Sequence, residues 1–354
     1  MEPRQHVALA PKTTLGVGGP ARYFREARTD DELSEILHWA RRRGVPFRVL
    51  GGGSNVVVSD SGFDGLVIQI ALKGVHATGA QGRDIEVAAG EPWHAFVLAQ
   101  AARGLQGVEC LAGIPGLVGA TPIQNVGAYG QEVCESIVRV VALDTERMSL
   151  VAFDHEALAF GYRDSFFKSK APDRYIVTRV RFRLAPSAPP KLAYPELAKQ
   201  VALWSEARQG RAPTLSELCQ IVLALRGSKA MLLDPTSENG RSCGSFFVNP
   251  RVSEQVLARI AANFGGREVP HYPQKDGSIK LPAAWLIEQA GLGKGTRRGN
   301  VGLSTKHSLA LVCHAGATAH EVMNFAREIQ RTVQASFGVS LAPEPVFWGF
   351  DQAL

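Results

Sequence analysis

Disulfides are the first thing this 354-residue chain lacks the means to build as a scaffold. Its five cysteines, Cys110, Cys134, Cys219, Cys243 and Cys313, are odd in number and include no C-x-x-C pair. Reduced thiols in the cytoplasm are the simplest account. No apolar run marks the opening "MEPRQHVALAPKTTLGVGG", so no secretory leader is expected. Charge is absent from residues 110–131, a stretch long enough to be taken for a membrane span. Its five glycines, two prolines, Gln and Asn argue instead for a loop-rich lining. The net charge of +6 is not gathered into a basic stripe with stacking aromatics, so nucleic acid is not an expected partner. The densest run, Arg41-Arg42-Arg43, ends an expected helix, where cations complement the backbone dipole. A modest basic excess suits small phosphorylated ligands. No internal repeat or low-complexity tract is present.

What is present reads as α+β. Four helices are marked by their ends. A Thr29-Asp30-Asp31-Glu32 capping box opens the first, which buries Leu33, Ile36, Leu37 and Ala40 and stops at Gly44. Pro92 begins a second that runs to Gly104. Thr214 and Glu217 cap a third, with Leu218, Ile221, Val222 and Leu225 inward. Thr318, Glu321 and Gly338 bound the last, which buries Val322, Phe325, Ile329, Val333 and Phe337. "FRVLGGG", "GLVIQI", "DIEVAAG" and "RYIVTRVRFRL" read as strands, the last with Ile176, Thr178, Val180, Phe182 and Leu184 on one face. An early β-α-β passes into antiparallel strands. "PSAPP" (186–190) is a linker candidate, and a domain break is expected around 186–225, before a second α/β pattern.

Two glycine loops carry the first hint of chemistry. "VLGGGSN" (49–55) follows a strand and could cradle an anion on successive N–H groups or be a plain tight turn. It fits neither the Rossmann fingerprint nor a P-loop. "GIPGLVGATPIQNVGAYG" (113–130) is uncharged and glycine-rich, as backbone packed along a large flat ligand and its pyrophosphate would be. A second question is posed by "NGRSCGSFFVNP" (239–250). Ser242 fits the G-x-S-x-G pattern of a hydrolase nucleophile elbow, yet the polar, proline-containing "LDPTSENGR" before it suits a loop rather than a central strand. Ser245 fits no hydrolase pattern and adjoins an apolar wall, Phe246-Phe247.

"GGGSN" with "AGIPGLVGATPIQNVGAYG" resembles the flavin-binding signature of the UDP-N-acetylenolpyruvoylglucosamine reductase (MurB) family. The similarity continues in family order through "GYRDSFFK" (161–168), "LRGSKAMLLDP" (225–235), "GSFFVNP" (244–250), "KLPAAWLIEQAGL" (280–292) and "LSTKHSLALV" (303–312). "KLAYPEL" (191–197) resembles the variant with a substrate-loop tyrosine. Two departures stand out: Thr13-Thr14 replaces the usual Asn-Thr, and Glu344-Pro345-Val346 replaces Glu-Val-Arg.

The resemblance implies a vanillyl-alcohol-oxidase-type FAD-binding domain (1–185, lobes about 1–75 and 76–185). A connecting segment (186–225) and an α/β substrate domain (226–354) would follow, the last strand packing back on the FAD domain. It implies a cytoplasmic enzyme of cell-wall precursor synthesis with noncovalent FAD, no metal and NADPH as hydride donor; the oligomeric state is open, with a monomer the favoured reading. Hydride would pass from NADPH to FAD N5 and on to the enolpyruvyl carbon. Its implied catalytic residues are Arg163, a cationic grip, Ser245, the proton donor, and Glu344. FAD would contact Gly51, Gly52, Gly53, Ser54, Asn55, Gly113, Ile114, Pro115, Gly119, Ala120, Gln124, Asn125, Gly127, Ala128, Tyr129, Gly130 and Val177. The UDP-sugar would contact Tyr162, Tyr194, Lys229, Asn249, Lys280 and Gln289. The alternatives are a noncovalent oxidase of the same superfamily and a non-enzymatic flavin-binding protein. No histidine lies within 45–65 or 105–135, which disfavours a covalently linked flavin.

Overall fold

The computed structural model describes residues 2–78, 82–186, 192–234, 236–264, 268–274 and 276–351. The linker candidate beyond Pro186, with Lys191, and Pro235 lie outside the described residues. In chain order the elements are β1 (Arg4–Ala8), β2 (Pro20–Ala27), α1 (Asp30–Arg43), β3 (Phe47–Leu50), β4 (Val56–Val58), β5 (Phe63–Ile70), β6 (Val75–Thr78), β7 (Asp84–Ala88) and α2 (Trp93–Ala102). Next come β8 (Ile137–Asp144), β9 (Ser149–Asp154), β10 (Tyr175–Arg183), α3 (Pro195–Glu206), α4 (Leu215–Ser228), β11 (Ser242–Ser245) and α5 (Glu254–Asn263). The last are α6 (Ala283–Gln289), β12 (Arg297–Arg298), β13 (Val301–Leu303), β14 (Ala310–Cys313), α7 (Ala319–Phe337) and β15 (Val346–Trp348). Two compact units result: Met1–Val7, Ala21–Gly53 and Asp64–Ser228 form one, and Ala8–Pro20, Ser54–Phe63 and Lys229–Leu354 the other.

The first unit holds two larger sheets. One has the order β1-β2-β5-β3, with β3 parallel to β5 across a connection, residues 51–62, that carries the first glycine loop and β4. The other is antiparallel with the order β9-β8-β10-β7-β6. Its central strand, β10, buries Ile176, Thr178, Val180 and Phe182 as the alternation predicts, and Val177 as well. Trp93 and Phe96 of α2 meet Phe182 with ring centroids 5.9 and 5.0 Å away, so helix and sheet share one aromatic core. Helix α1 starts where expected, with the Thr29 hydroxyl accepting the Glu32 N–H at 3.0 Å, and ends at Gly44 with φ 62°. The Glu32 carboxylate reaches one residue further back than a capping box predicts, to the Arg28 N–H at 2.7 Å.

In the second unit, β11-β14-β13-β12 form an antiparallel sheet, and β15 lies parallel to β4. Helix α7 carries both halves of the Thr318/Glu321 box and closes on Gly338, and all five of its expected stripe residues are buried. The Arg241 guanidinium donates to the carbonyls of Leu15, Gly16 and His314, at 3.3, 2.7 and 3.3 Å, which ties the 8–20 segment into this unit. Helices α3, α5 and α6 were not marked by the caps read from the sequence. Among the described residues no helix is long and apolar enough to cross a membrane.

Candidate active site

In the first unit the two glycine loops meet. A Cβ on Gly52 would lie 2.7 Å from the Gly116 Cα, so the backbones touch only because both side chains are missing. Gly119 packs as closely on Ala89, where a Cβ would fall 2.4 Å from the alanine methyl, and its N–H donates to the Ala89 carbonyl at 2.9 Å. The Trp93 N–H holds the Gly116 carbonyl at 3.0 Å. Ile114, Pro115, Ala120 and Gln124 lie along the same strip, Gly127 and Ala128 form a short strand with Gln131 and Glu132, and Val177 is buried in the adjoining sheet. This lining of uncharged main chain, with small residues where contact is closest, fits a flat ligand bearing a diphosphate.

Three non-glycine residues of this unit's site hold positive φ: Asn125 (46°), Tyr129 (50°) and Arg163 (54°). Such backbone costs about 1–3 kcal/mol per residue and persists where its surroundings impose it. Asn125 shows how. It is 1% exposed, its amide donates to Glu132 and the Gly161 carbonyl, and its oxygen accepts the Cys134 N–H. The side chain named as a cofactor contact is thus a brace for the strip. Gly161 and Asp164 bond each other's main chain and form a tight turn that presents Tyr162 and Arg163. The Arg163 guanidinium donates to the Gly127 carbonyl at 2.8 Å and lies 5.4 Å from the Tyr162 ring centre. Tyr194, at the start of α3, meets Tyr129 edge-on at 5.4 Å. Gly130, at φ 79°, leaves room there for Ala193. Burial pushes the Tyr129 hydroxyl up to about 12, against the pull of the Arg226 guanidinium, so the phenol stays neutral.

Sequence reasoning missed His94. Its Nδ1 accepts the Gly113 N–H at 3.0 Å, which only a neutral imidazole can do. Burial, then the nearby Arg226 guanidinium, hold its pKa below the ordinary 6.5. Unfolded chains therefore bind this proton first, and the native state loses stability as pH falls below about 6.5 toward the depressed native value. His94→Asn, which keeps an acceptor near the Nδ1 position, is expected to flatten the decline of apoprotein Tm from pH 7 to 5. An identical decline in both proteins would refute the contact.

In the second unit Ser245 ends β11 opposite Ala310, after Gly244 at φ 74° has bulged the strand. Phe246 and Phe247 are buried directly behind it. The Phe246 carbonyl accepts the Glu344 N–H at 2.9 Å, so the Ser245 strand and the Glu344 segment are neighbours. The Asn55 amide donates to the Glu344 carbonyl at 3.3 Å, and the Asn55 carbonyl accepts the Val346 N–H at 3.1 Å. Pro345 falls between the two N–H groups this arrangement uses, so its missing donor costs no hydrogen bond. Ser54 is half-buried in the turn before Asn55.

Among the remaining substrate candidates of this unit, Asn249 and Lys280 lie on adjoining segments, joined by the Leu281 N–H to the Pro250 carbonyl. Lys229 follows the end of α4, and Lys280 lies 5.9 Å from the Tyr272 ring centre. The Asn249 oxygen accepts the Ala283 N–H at 2.9 Å and so caps α6, leaving its NH2 to donate elsewhere. Gln289 is exposed at the opposite end of the same helix. Ser242 corrects the sequence reading. It is not a loop residue but a buried member of edge strand β11, bonded opposite Val312. The polar segment before it is accommodated because Gly240 closes a turn on Asp234 that has no room for a Cβ. A strand-embedded serine lacks the sharp strand-to-helix turn of a nucleophile elbow.

Known proteins resemble this chain along nearly its whole length. Residues 234–348 match the model "UDP-N-acetylenolpyruvoylglucosamine reductase, C-terminal domain", and residues 21–146 match "FAD binding domain". In that order the two bear out the FAD-binding fold followed by a second, α/β domain that the resemblance implied. Among curated relatives, the UDP-N-acetylenolpyruvoylglucosamine reductase of Streptomyces coelicolor is 44% identical over 99% of this chain and 92% of its own. That of Saccharopolyspora erythraea is 46% identical over 96% of this chain and 94% of its own. The crystal structure of MurB from Thermus caldophilus superposes with a TM-score of 0.67 at 27% identity, covering 98% of this chain and 100% of that one. With identity of this degree sustained from end to end, the chain belongs to the UDP-N-acetylenolpyruvoylglucosamine reductase (MurB) family.

Proposed function

We propose that this protein reduces UDP-N-acetyl-3-O-(1-carboxyvinyl)-glucosamine to UDP-N-acetylmuramate with NADPH, as a step of peptidoglycan precursor synthesis in the cytoplasm. The observation that carries the reading is the main-chain cradle of the first unit, where Gly52 meets Gly116 and Gly119 meets Ala89. Gly51 to Asn55, the 113–130 strip and Val177 are the residues that would hold FAD. FAD held there would supply the hydride chemistry, relaying hydride from NADPH to the enolpyruvyl methylene carbon.

The chain itself has to grip the substrate carboxylate, stabilise charge and supply one proton. Arg163 does the first two, because a guanidinium offers paired donors in a plane and stays charged. Ser245 Oγ gives its proton to the carbon next to the carboxylate; beside so basic a centre the hydroxyl needs geometry rather than a lowered pKa. Glu344 anchors or polarises the proton-donating arrangement; its main chain neighbours the Ser245 strand through the Phe246 carbonyl. Tyr162, Tyr194, Lys229, Asn249, Lys280 and Gln289 bind the UDP-sugar, with Lys229 as a point charge for phosphate. Residues 1–185 serve the cofactor, 186–225 the substrate-covering tyrosine and 226–354 the substrate, in a monomer.

The test is an absorption spectrum followed by anaerobic stopped flow. Oxidised-flavin bands should bleach with NADPH and return with the enolpyruvyl sugar. A colourless preparation that FAD does not reconstitute would overturn the reading. Flavin that reoxidises only with oxygen would mark an oxidase, and flavin inert to NADPH a binding module. Gly52→Ala should weaken FAD binding about tenfold in a fluorescence titration, since crowding of packed main chain costs about 1–3 kcal/mol. Wild-type affinity in that variant would show that the loops need not touch.

A further inference from the structure

We propose that Gln69, which lies in neither glycine motif, is the positioning residue that shapes the first glycine loop for a diphosphate; the inference rests on the FAD reading above. Gln69 belongs to β5 and stands opposite Leu50 in the parallel register. Its Nε2 donates to two successive carbonyls, those of Leu50 at 3.2 Å and Gly51 at 2.5 Å. Successive carbonyls of an extended chain point to opposite sides. Here both converge on one amide, so the chain has curled at Gly51.

The opposite side of those peptides follows from covalent geometry. Among the described residues no peptide bond is cis, and in a planar trans peptide the N–H points away from its C=O. The N–H groups of Gly51 and Gly52 therefore both point away from Gln69, side by side. Two successive N–H groups aimed the same way form the concavity that binds anions. Gly53, at φ 65°, continues the curl, and contact with Gly116 stops the loop from rolling over.

Gln69 is also costly where it stands. Leu66, Val67, Ile68 and Ile70 of the same strand are buried, and an apolar side chain would suit that strand better. A half-buried amide that gives up hydration to hold two carbonyls needs a role. The plain alternative is that it only seals the end of the sheet, and stability of the apoprotein separates the two.

The probes are FAD and ADP, which share the diphosphate, titrated against apoprotein by fluorescence and calorimetry. Gln69→Met keeps the length and removes the donor; Gln69→Glu keeps the shape and sets acceptors against acceptors. Gln69→Met is expected to weaken FAD and ADP in parallel, by about tenfold, with apoprotein Tm within about 2 °C of wild type. Gln69→Glu should weaken both further. Affinities in Gln69→Met within twofold of wild type would overturn the proposal. So would weakening of FAD without ADP, or a fall in apoprotein Tm beyond that range. Wild-type protein that binds ADP but not FAD would overturn the FAD reading alone, and protein that binds neither would overturn both.

Discussion

Alanine at Ser245 is expected to leave bleaching by NADPH at the wild-type rate and to slow return of the flavin bands by about 100- to 10,000-fold. The separation arises because only the second half-reaction consumes a proton from the protein. The substitution is structurally mild: Ser245 is half-buried at the end of an edge strand, and its pairing with Ala310 is made by main chain, which alanine preserves. The bulge at Gly244 and the Phe246 N–H bond to Leu309 at 2.8 Å do not involve the hydroxyl. Stopped-flow absorbance of each half-reaction in isolation is the measurement. Equal slowing of both halves would remove Ser245 from the proton step.

Arg163→Met should be nearly as damaging, with a loss of about 100- to 1,000-fold in the second half-reaction, the typical effect of deleting one preorganised donor to a developing anion. Arg163→Lys should recover only part of this, because an ammonium keeps the charge without the planar fork. The residue's preorganisation is visible in its left-handed backbone, its bond to the Gly127 carbonyl and the tight turn closed by Gly161 and Asp164. Competing losses of packing would appear in apoprotein Tm. A lysine variant with full activity would mean that Arg163 acts as charge alone.

Much of the fold was legible because its signals are local. Thr318, Glu321 and Gly338 lie within one helix of each other, and the alternation in β10 needs only nine residues to be read. What stayed hidden depends on partners far away in sequence. His94 touches Gly113 and Gln69 touches Gly51, each across 18 or 19 positions, and neither contact leaves a trace in composition. Asn125 was legible as important but not as a brace, because its three bonds go to Glu132, Gly161 and Cys134. Ser242 was misplaced for the opposite reason: the polar residues before it are a local signal for a loop, and pairing with β14 overrode it.

The parallel pairing of β15 with β4, fastened by Asn55 across 289 positions to Glu344, has a consequence for biogenesis. Closing so long an interval carries a large entropic cost that local contacts cannot offset early. On the ribosome, Val56–Val58 must wait until Val346–Trp348 has been translated before gaining this neighbour. Premature termination before Val346 would strand a bare hydrophobic edge, and such nascent fragments should aggregate or be degraded rather than accumulate.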